Sequence, residues 1–536
     1  MTCMRERVRG IESARVMRWA VVVCCCLSVV VAGLLAGCGG SGGSEPSSSP
    51  TSTADIVRGG VLRIASQDAT VLDPATMASA PDYLLATQVY EWLVVLDKNL
   101  EPQPSLAVSW KSSTDGKTWT FKLRQGVVFH DGTPFTSADV VSTFARLMDP
   151  DVGSAASATW AVVKSIEAVD DYTVAFHLKH PASEFPVSFG DIHSPIMPTE
   201  LTNPTEKAVG TGPFMLESFS SGDRAVLKAN KQYWRKGADG QPLPYLDGLT
   251  IIYSPDVGGQ VEALRAGDVD WVGGLPAQLA QTLSSDPGFQ VLTNISNMHY
   301  SLHMRTDRGP TKDERVRLAL RLGTDQAAMA KLVRPGLSSV GNGTAIGPLF
   351  KKYYIDEKPP YDPERAKQLL AEAGYPDGLS IKLVTQNNLD IPAMATVWQA
   401  QMAKIGVKVQ IQLVPIDVYF GSGKHGWLTA DFAITDWMTR PPLGTLQVSY
   451  PSYAPWNGSH WADAEYDDLM GQIESEMDEQ KRIELYHRAQ EILLERGPVV
   501  MMFFANAACG VTANVHGITL APEWCQTPLT EAYLSQ

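Results

Sequence analysis

Four stretches of this chain place reactive residue types at spacings used in catalysis or metal binding. Gly39-Gly40-Ser41-Gly42-Gly43 fits the Gly-x-Ser-x-Gly pattern, which lifts a nucleophilic serine onto a sharp strand-to-helix turn. It lies in a run of small polar residues that offers neither strand nor helix, so it is not read as a nucleophile. Gly116-Lys117-Thr118 looks like the end of a phosphate-binding loop, but that loop needs Gly where this chain has Lys111. Asp115-Gly116 reads instead as a hairpin turn. Gly421-Ser422-Gly423-Lys424-His425-Gly426 satisfies Gly-x-Gly-x-x-Gly without the preceding strand and following helix of a dinucleotide site, and reads as a loop. His177 and His180 stand near a strand end with no cluster of Cys, His or carboxylates beside them, so no metal site is expected. A nucleophile, its base and an orienting group are not visible together. A hydrolase is therefore the weakest reading, and neither an enzyme nor a bound cofactor is expected.

The cysteines point to a different chemistry. Four of the seven fall in the first 26 residues, leaving Cys38, Cys509 and Cys525, too few for a four-cysteine zinc module or a disulfide scaffold. Arg5, Arg7, Arg9, Arg15 and Arg18 form a basic head before an 18-residue apolar run, Trp19 to Ala36. The run ends in Leu35-Ala36-Gly37-Cys38, and a Gly/Ser/Pro stretch follows at once. A basic, apolar, small-residue series is a secretory signal. The string before Cys38 resembles the bacterial lipobox, in which the Cys is lipidated and becomes the first residue. Residues 1–37 are thus expected to be a lipoprotein signal peptide, and Met17-Arg18 offers an alternative start of ordinary signal length. Residues 38–57 read as a flexible tether; its Gly39–Thr53 portion would reach on the order of 20 Å as a random coil.

Of the 536 residues, 44% are apolar and 19% charged, an ordinary globular mix. Net charge is −14, and removal of residues 1–37 leaves 39 basic and 56 acidic residues, a charge of −17. A body this acidic is poorly suited to gripping nucleic acid, and its membrane association is expected to come from acyl chains rather than charge.

The elements needed to position a site alternate strands with helices. Gly59–Ala65 and Thr118–Arg124 read as strands, and Val162–Val169 and Tyr172–Leu178 as a hairpin around Asp170-Asp171. Thr136–Asp139 opens a helix running to Leu147. In the second half, Asp362-Pro363-Glu364 starts a helix that Gly374 stops. Leu379–Thr385, Ile391–Ile405 and Val407–Val414 follow as strand, helix and strand, which predicts a parallel pair. A helical zone spans Ala464 to Arg496, and Met298–Met304 and Val499–Phe504 are candidate strands crossing between lobes.

Gly59–Leu62, Leu72–Pro74, Pro104–Trp110, Phe121–Phe135 with Ala138–Val141, Gly210–Phe214, Ala263–Asp270 and Tyr361–Tyr375 follow one another in the order of a known family. They resemble extracellular solute-binding protein family 5, the peptide-, dipeptide- and nickel-binding proteins of bacterial ABC importers. The resemblance covers roughly residues 58–505 and implies an α/β, two-lobed periplasmic-binding-protein fold of the class II type. It also implies an extra β-rich subdomain in the first lobe and two inter-lobe crossing segments. The corresponding division is 58–82, 201–300 and 505–536 for the core of lobe I, 83–200 for the subdomain and 301–504 for lobe II. The family closes its lobes on a solute and presents it to membrane permease subunits; a monomer on the outer face of the cell membrane is expected.

As the resemblance has it, peptide-binding members carry a Trp in the second lobe and, three residues on, an Asp that pairs with the peptide amine. Here Trp437 matches, Met438 follows, and the Asp position holds Arg440. A guanidinium offers five donors and no acceptor, which disfavours an ammonium and favours a carboxylate or phosphate. Alternatively, Arg440 pairs internally with Asp436. Asp68 and Ala69, at the exit of the first strand, face the cleft in relatives, and Asp68 is a candidate for an amine. Gln386 and Asn387 follow a βαβ strand, where open α/β sheets bind ligands. The cargo is accordingly a peptide or peptide-like solute, or a non-peptide anion such as an opine, a sugar–phosphate conjugate, haem or a metal chelate. Cys509 and Cys525, the remaining thiols of an exported body, are expected to form a disulfide.

Overall fold

Glycine and valine open the first strand, Val61–Ser66, which lies at the centre of a seven-stranded sheet. It pairs in parallel with Gly248–Tyr253 and Trp271–Val272. Antiparallel neighbours extend the sheet outward to Phe214–Ser220 on one edge and Phe289–Asn294 on the other. This sheet is the frame of the first lobe. The computed structural model describes residues 56–535 apart from 202, 389, 422, 424 and 425. The signal peptide, Cys38 and residues 38–55 of the tether lie outside the described residues, as do three positions of the 421–426 loop.

A four-stranded antiparallel sheet, in the order 107–112, 118–123, 173–178 and 163–170, forms the β-rich subdomain. The helix Ser137–Met148 covers it, and the Asp139 carboxylate accepts the Thr136 N–H at 2.8 Å to fix the helix start. Its core is aromatic. Phe144 meets the Trp160, Phe176 and Phe189 rings edge-on, with centroids 4.4, 5.2 and 5.3 Å away. The Phe129–Gly132 turn docks this subdomain on the first lobe: His130 N–H donates to the Gly210 carbonyl at 2.9 Å, and its Nε2 lies 3.0 Å from the Gly212 carbonyl. A Cβ at position 210 would sit 2.2 Å from the Val89 carbonyl oxygen, so the close approach requires glycine there.

The second lobe has a four-stranded sheet ordered 338–339, 499–505, 299–304 and 432–437. Beside it Leu379–Gln386 and Val407–Val414 pair in parallel, joined by the helix Ile391–Lys404, as the sequence predicts. The Thr385 hydroxyl ties this pair to the sheet through the Ile434 carbonyl at 3.0 Å. The helical zone after Asp463 is two helices rather than one, Ala464–Ser475 and Glu479–Arg496. Asp478 caps the second by accepting the Lys481 N–H at 3.0 Å, and that cap breaks the run.

Of residues 298–304 and 499–504, all but Met298 lie in strands of the second lobe and do not themselves cross between the lobes. They form adjacent antiparallel strands of the second lobe, with His299 opposite Phe504. The crossings are the short links that precede and follow them, 295–298 and Asn506. On the first-lobe side the chain resumes the same pairing, with Asn294 opposite Ala507.

The expected Cys509–Cys525 disulfide is not formed. Both are free, buried thiols in the apolar core of the first lobe, where cysteine packs as a small hydrophobe. Burial raises both thiol pKa values, which keeps the sulfurs protonated and unreactive.

Candidate functional site

A cavity of about 1030 Å³ opens where the first lobe, the subdomain and the second lobe meet. Tyr83 reaches it from the helix Ala80–Val89, Asp191 and His193 from the loop after Phe185–Ser188, and Glu523 from the C-terminal segment. The opposite wall is Met438, Thr439, Arg440 and Pro441, in the turn between the strand Phe432–Trp437 and the helix Pro442–Gln447. Glu91 also lines it, buried and accepting from Thr211 (2.7 Å), Tyr233 (2.9 Å) and Trp234 (3.0 Å).

Arg235 also lines this space; Arg440 is the cation that the second-lobe wall brings to it. Its Nη1 donates to the Met438 carbonyl at 3.1 Å, and its guanidinium carbon lies 5.6 Å from the Trp456 ring centre. Burial lowers its pKa, and the nearby Glu523, Asp191 and Tyr83 oppose that shift. It does not pair with Asp436, whose carboxylate accepts Gln386 Nε2 at 2.5 Å. Across the cleft, Glu523 accepts the Thr439 N–H at 2.8 Å, and burial raises its pKa. Asp191 accepts His193 Nδ1 at 2.8 Å, while His193 Nε2 faces the Met77 carbonyl at 3.0 Å. Burial opposes protonation of that ring, but the two acceptors outweigh it and raise its pKa. Burial pushes the Tyr83 phenol up to about 12. The cavity thus sets a guanidinium held by one internal hydrogen bond opposite a wall of carboxylates, phenol and imidazole.

Of the ligand-binding residues expected from the sequence, Met438 and Arg440 line this cavity and the others do not, while His180, read there as no metal ligand, also lines it. Asp68 serves a turn, accepting from the Ser221 hydroxyl (2.8 Å) and the Gly222 N–H (2.9 Å). Ala69 is fully buried in the first-lobe core. Gln386 is buried against Asp436, and Asn387 is exposed with its N–H on the Val414 carbonyl at 3.0 Å. Trp437 is 8% exposed and lies beneath the wall: its Nε1 donates to Ser301 Oγ at 3.0 Å, and His299, Trp427 and Trp456 surround it. Tyr83, Asp191, His193 and Glu523 carry no motif, and chain distance hides them from a sequence reading.

The family model described as "Bacterial extracellular solute-binding proteins, family 5 Middle" matches residues 101–459, two thirds of the chain. The chain belongs to this family. Members are the substrate-binding components of ABC importers and are not enzymes. The glutathione-binding protein GsiB of Shigella flexneri serotype 5b is 27% identical over 474 residues, covering 85% of this chain and 90% of its own. Among solved structures, DppA of Helicobacter pylori in complex with the peptide STSA is 26% identical with a TM-score of 0.72, covering 90% of this chain and 99% of DppA. AgaA of A. tumefaciens R10 in complex with agropinic acid is 26% identical with a TM-score of 0.73, covering 89% and 99%. The two-lobed family fold is therefore shared, and no helix among the described residues is long and apolar enough to cross a membrane.

Proposed function

We propose that this family 5 protein captures a small peptide-like solute bearing an acidic group, and hands it to an ABC permease from a lipid anchor at Cys38. The observation that carries the reading is Arg440, facing the cavity without an ion pair among the described residues. A half-buried guanidinium in that state favours a ligand carboxylate, which it can hold through two parallel hydrogen bonds. The carboxylates of Asp191 and Glu523 on the facing wall suit an ammonium on the same solute. The cavity volume lies at the upper end of small-molecule sites, which suits a short peptide or a conjugate of similar size.

An opine-like cargo is the second reading, favoured by the likeness to AgaA, which is solved in complex with agropinic acid. Native mass spectrometry of protein purified without refolding, followed by calorimetric titration of glutathione, unrelated dipeptides and opines, separates the two. Tight binding of a peptide series supports the first reading, and tight binding of opines alone supports the second. Binding confined to cationic solutes without an acid group would overturn both.

A further inference from the structure

Away from Arg440, at the rim between the subdomain and the second lobe, a second set of contacts crosses the cleft. Glu184 projects from the subdomain, and its donors all belong to the second lobe. Tyr353 OH donates to one carboxylate oxygen at 2.6 Å and Tyr486 OH to the other at 2.6 Å. Arg482 Nε stands 3.6 Å from the first oxygen. The Glu184 side chain is 16% exposed, Tyr353 is 6% exposed and Tyr486 is fully buried. Around this group, Ser183 N–H donates to the Glu474 carbonyl at 2.8 Å, and its hydroxyl lies 3.3 Å from the Ile473 carbonyl. Leu100 packs against the apolar core beneath Tyr353 and Tyr486.

We infer that Glu184 with Tyr353, Tyr486 and Arg482 is a ligand-independent latch, which biases the empty protein toward the closed form. A buried carboxylate needs its hydrogen bonds, and two phenol donors at 2.6 Å are short, charge-assisted ones. Donors and acceptor sit on opposite sides of the cleft, so the set is complete only when the two sides meet. Its donors and acceptor all come from this chain, and because Glu184 also lines the cavity, the latch is tested in the ligand-free protein. A closed form populated before binding reduces the penalty that a ligand otherwise bears for closure, so apparent affinity rises with the closed fraction.

Small-angle X-ray scattering of the ligand-free protein tests this without any cargo. The wild type is expected to scatter as the closed form. Glu184→Gln, and separately the pair Tyr353→Phe with Tyr486→Phe, should lower the closed-to-open ratio by roughly tenfold or more, as loss of such bonds implies, and enlarge the radius of gyration. Each variant should keep a single cooperative melting transition, which separates opening from misfolding. An unchanged radius of gyration in both variants, whether or not they melt earlier, overturns the latch. So does a wild type that is already as open as the variants.

Discussion

On the proposed reading, Arg440 selects an acidic cargo. Among the described residues it forms no ion pair, and Glu523 and Asp191 attract it without a direct contact, so a ligand anion would be its first close partner. Arg440→Ala is expected to weaken an acidic cargo by about 2–4 kcal/mol, roughly 30- to 1000-fold, and Arg440→Lys to recover part of the loss. Calorimetry against an analogue with the acid amidated checks this; equal affinity of wild type for both forms would make Arg440 structural. Two buried histidines set a pH response instead. Burial drives His299 and His303 to about 4, so both are neutral when folded and take up a proton on unfolding below their ordinary value near 6.5. The unfolded state then binds more protons, and each ring withdraws about 1.4 kcal/mol of stability per pH unit between about 6.5 and 4. A His303→Leu variant should therefore lose less melting temperature than wild type between pH 7 and pH 5. The free Cys509 and Cys525 thiols should both accept a labelling reagent in denatured, unreduced protein, and no label on either would restore the bridge. Arg440 was legible as a departure from a familiar pattern. Trp437 was legible only as an aromatic, because its burial under Trp456 depends on packing that no spacing encodes.

Helices and strands with strong local signals were the easiest to read. Asp362 and Pro363 do open a helix, and strand, helix and strand from 379 to 414 form the parallel unit, because capping chemistry and short connections act locally. The division at 476–478 was missed because its cap is a single Asp within a continuously polar-apolar pattern. Long-range support was invisible in the same way. The C-terminal carbonyls of the helix Glu479–Arg496 are taken up by another helix: Arg321 donates to Leu493 (2.6 Å) and Glu495 (3.0 Å), and Arg317 to Arg496 (2.9 Å). The Leu493 carbonyl also accepts the Gly497 N–H at 3.0 Å, so these arginines chiefly satisfy the Glu495 and Arg496 carbonyls, and they complement the helix dipole. Arg321→Ala should cost about 1–3 kcal/mol by taking the Glu495 carbonyl's side-chain donor away, read as a lower urea midpoint. An unchanged midpoint would mean that water replaces the side chain without loss.

At the scale of the whole molecule, the family strings led to the two-lobed fold because they recur in order along most of the chain. The cavity wall was not legible, since it joins residue 83 to residue 523 through the complete fold. The proposed lipid anchor belongs to this scale too. Cys38→Ala should abolish lipid modification and release the protein from membranes, and initiation at Met17 should yield the same mature form; retention of Cys38→Ala after carbonate washing would refute the anchor. The paired crossings carry one further consequence. Asn294 opposite Ala507 and His299 opposite Phe504 place both links side by side, like two pins on one door. Bending about that line is soft, whereas twisting and sliding would break the ribbon on either side. Whatever solute is held, closing about this line changes a single angle. A permease that reads this angle has no need to read the cargo, so the cavity is free to diverge in evolution without redesign of the machine it serves.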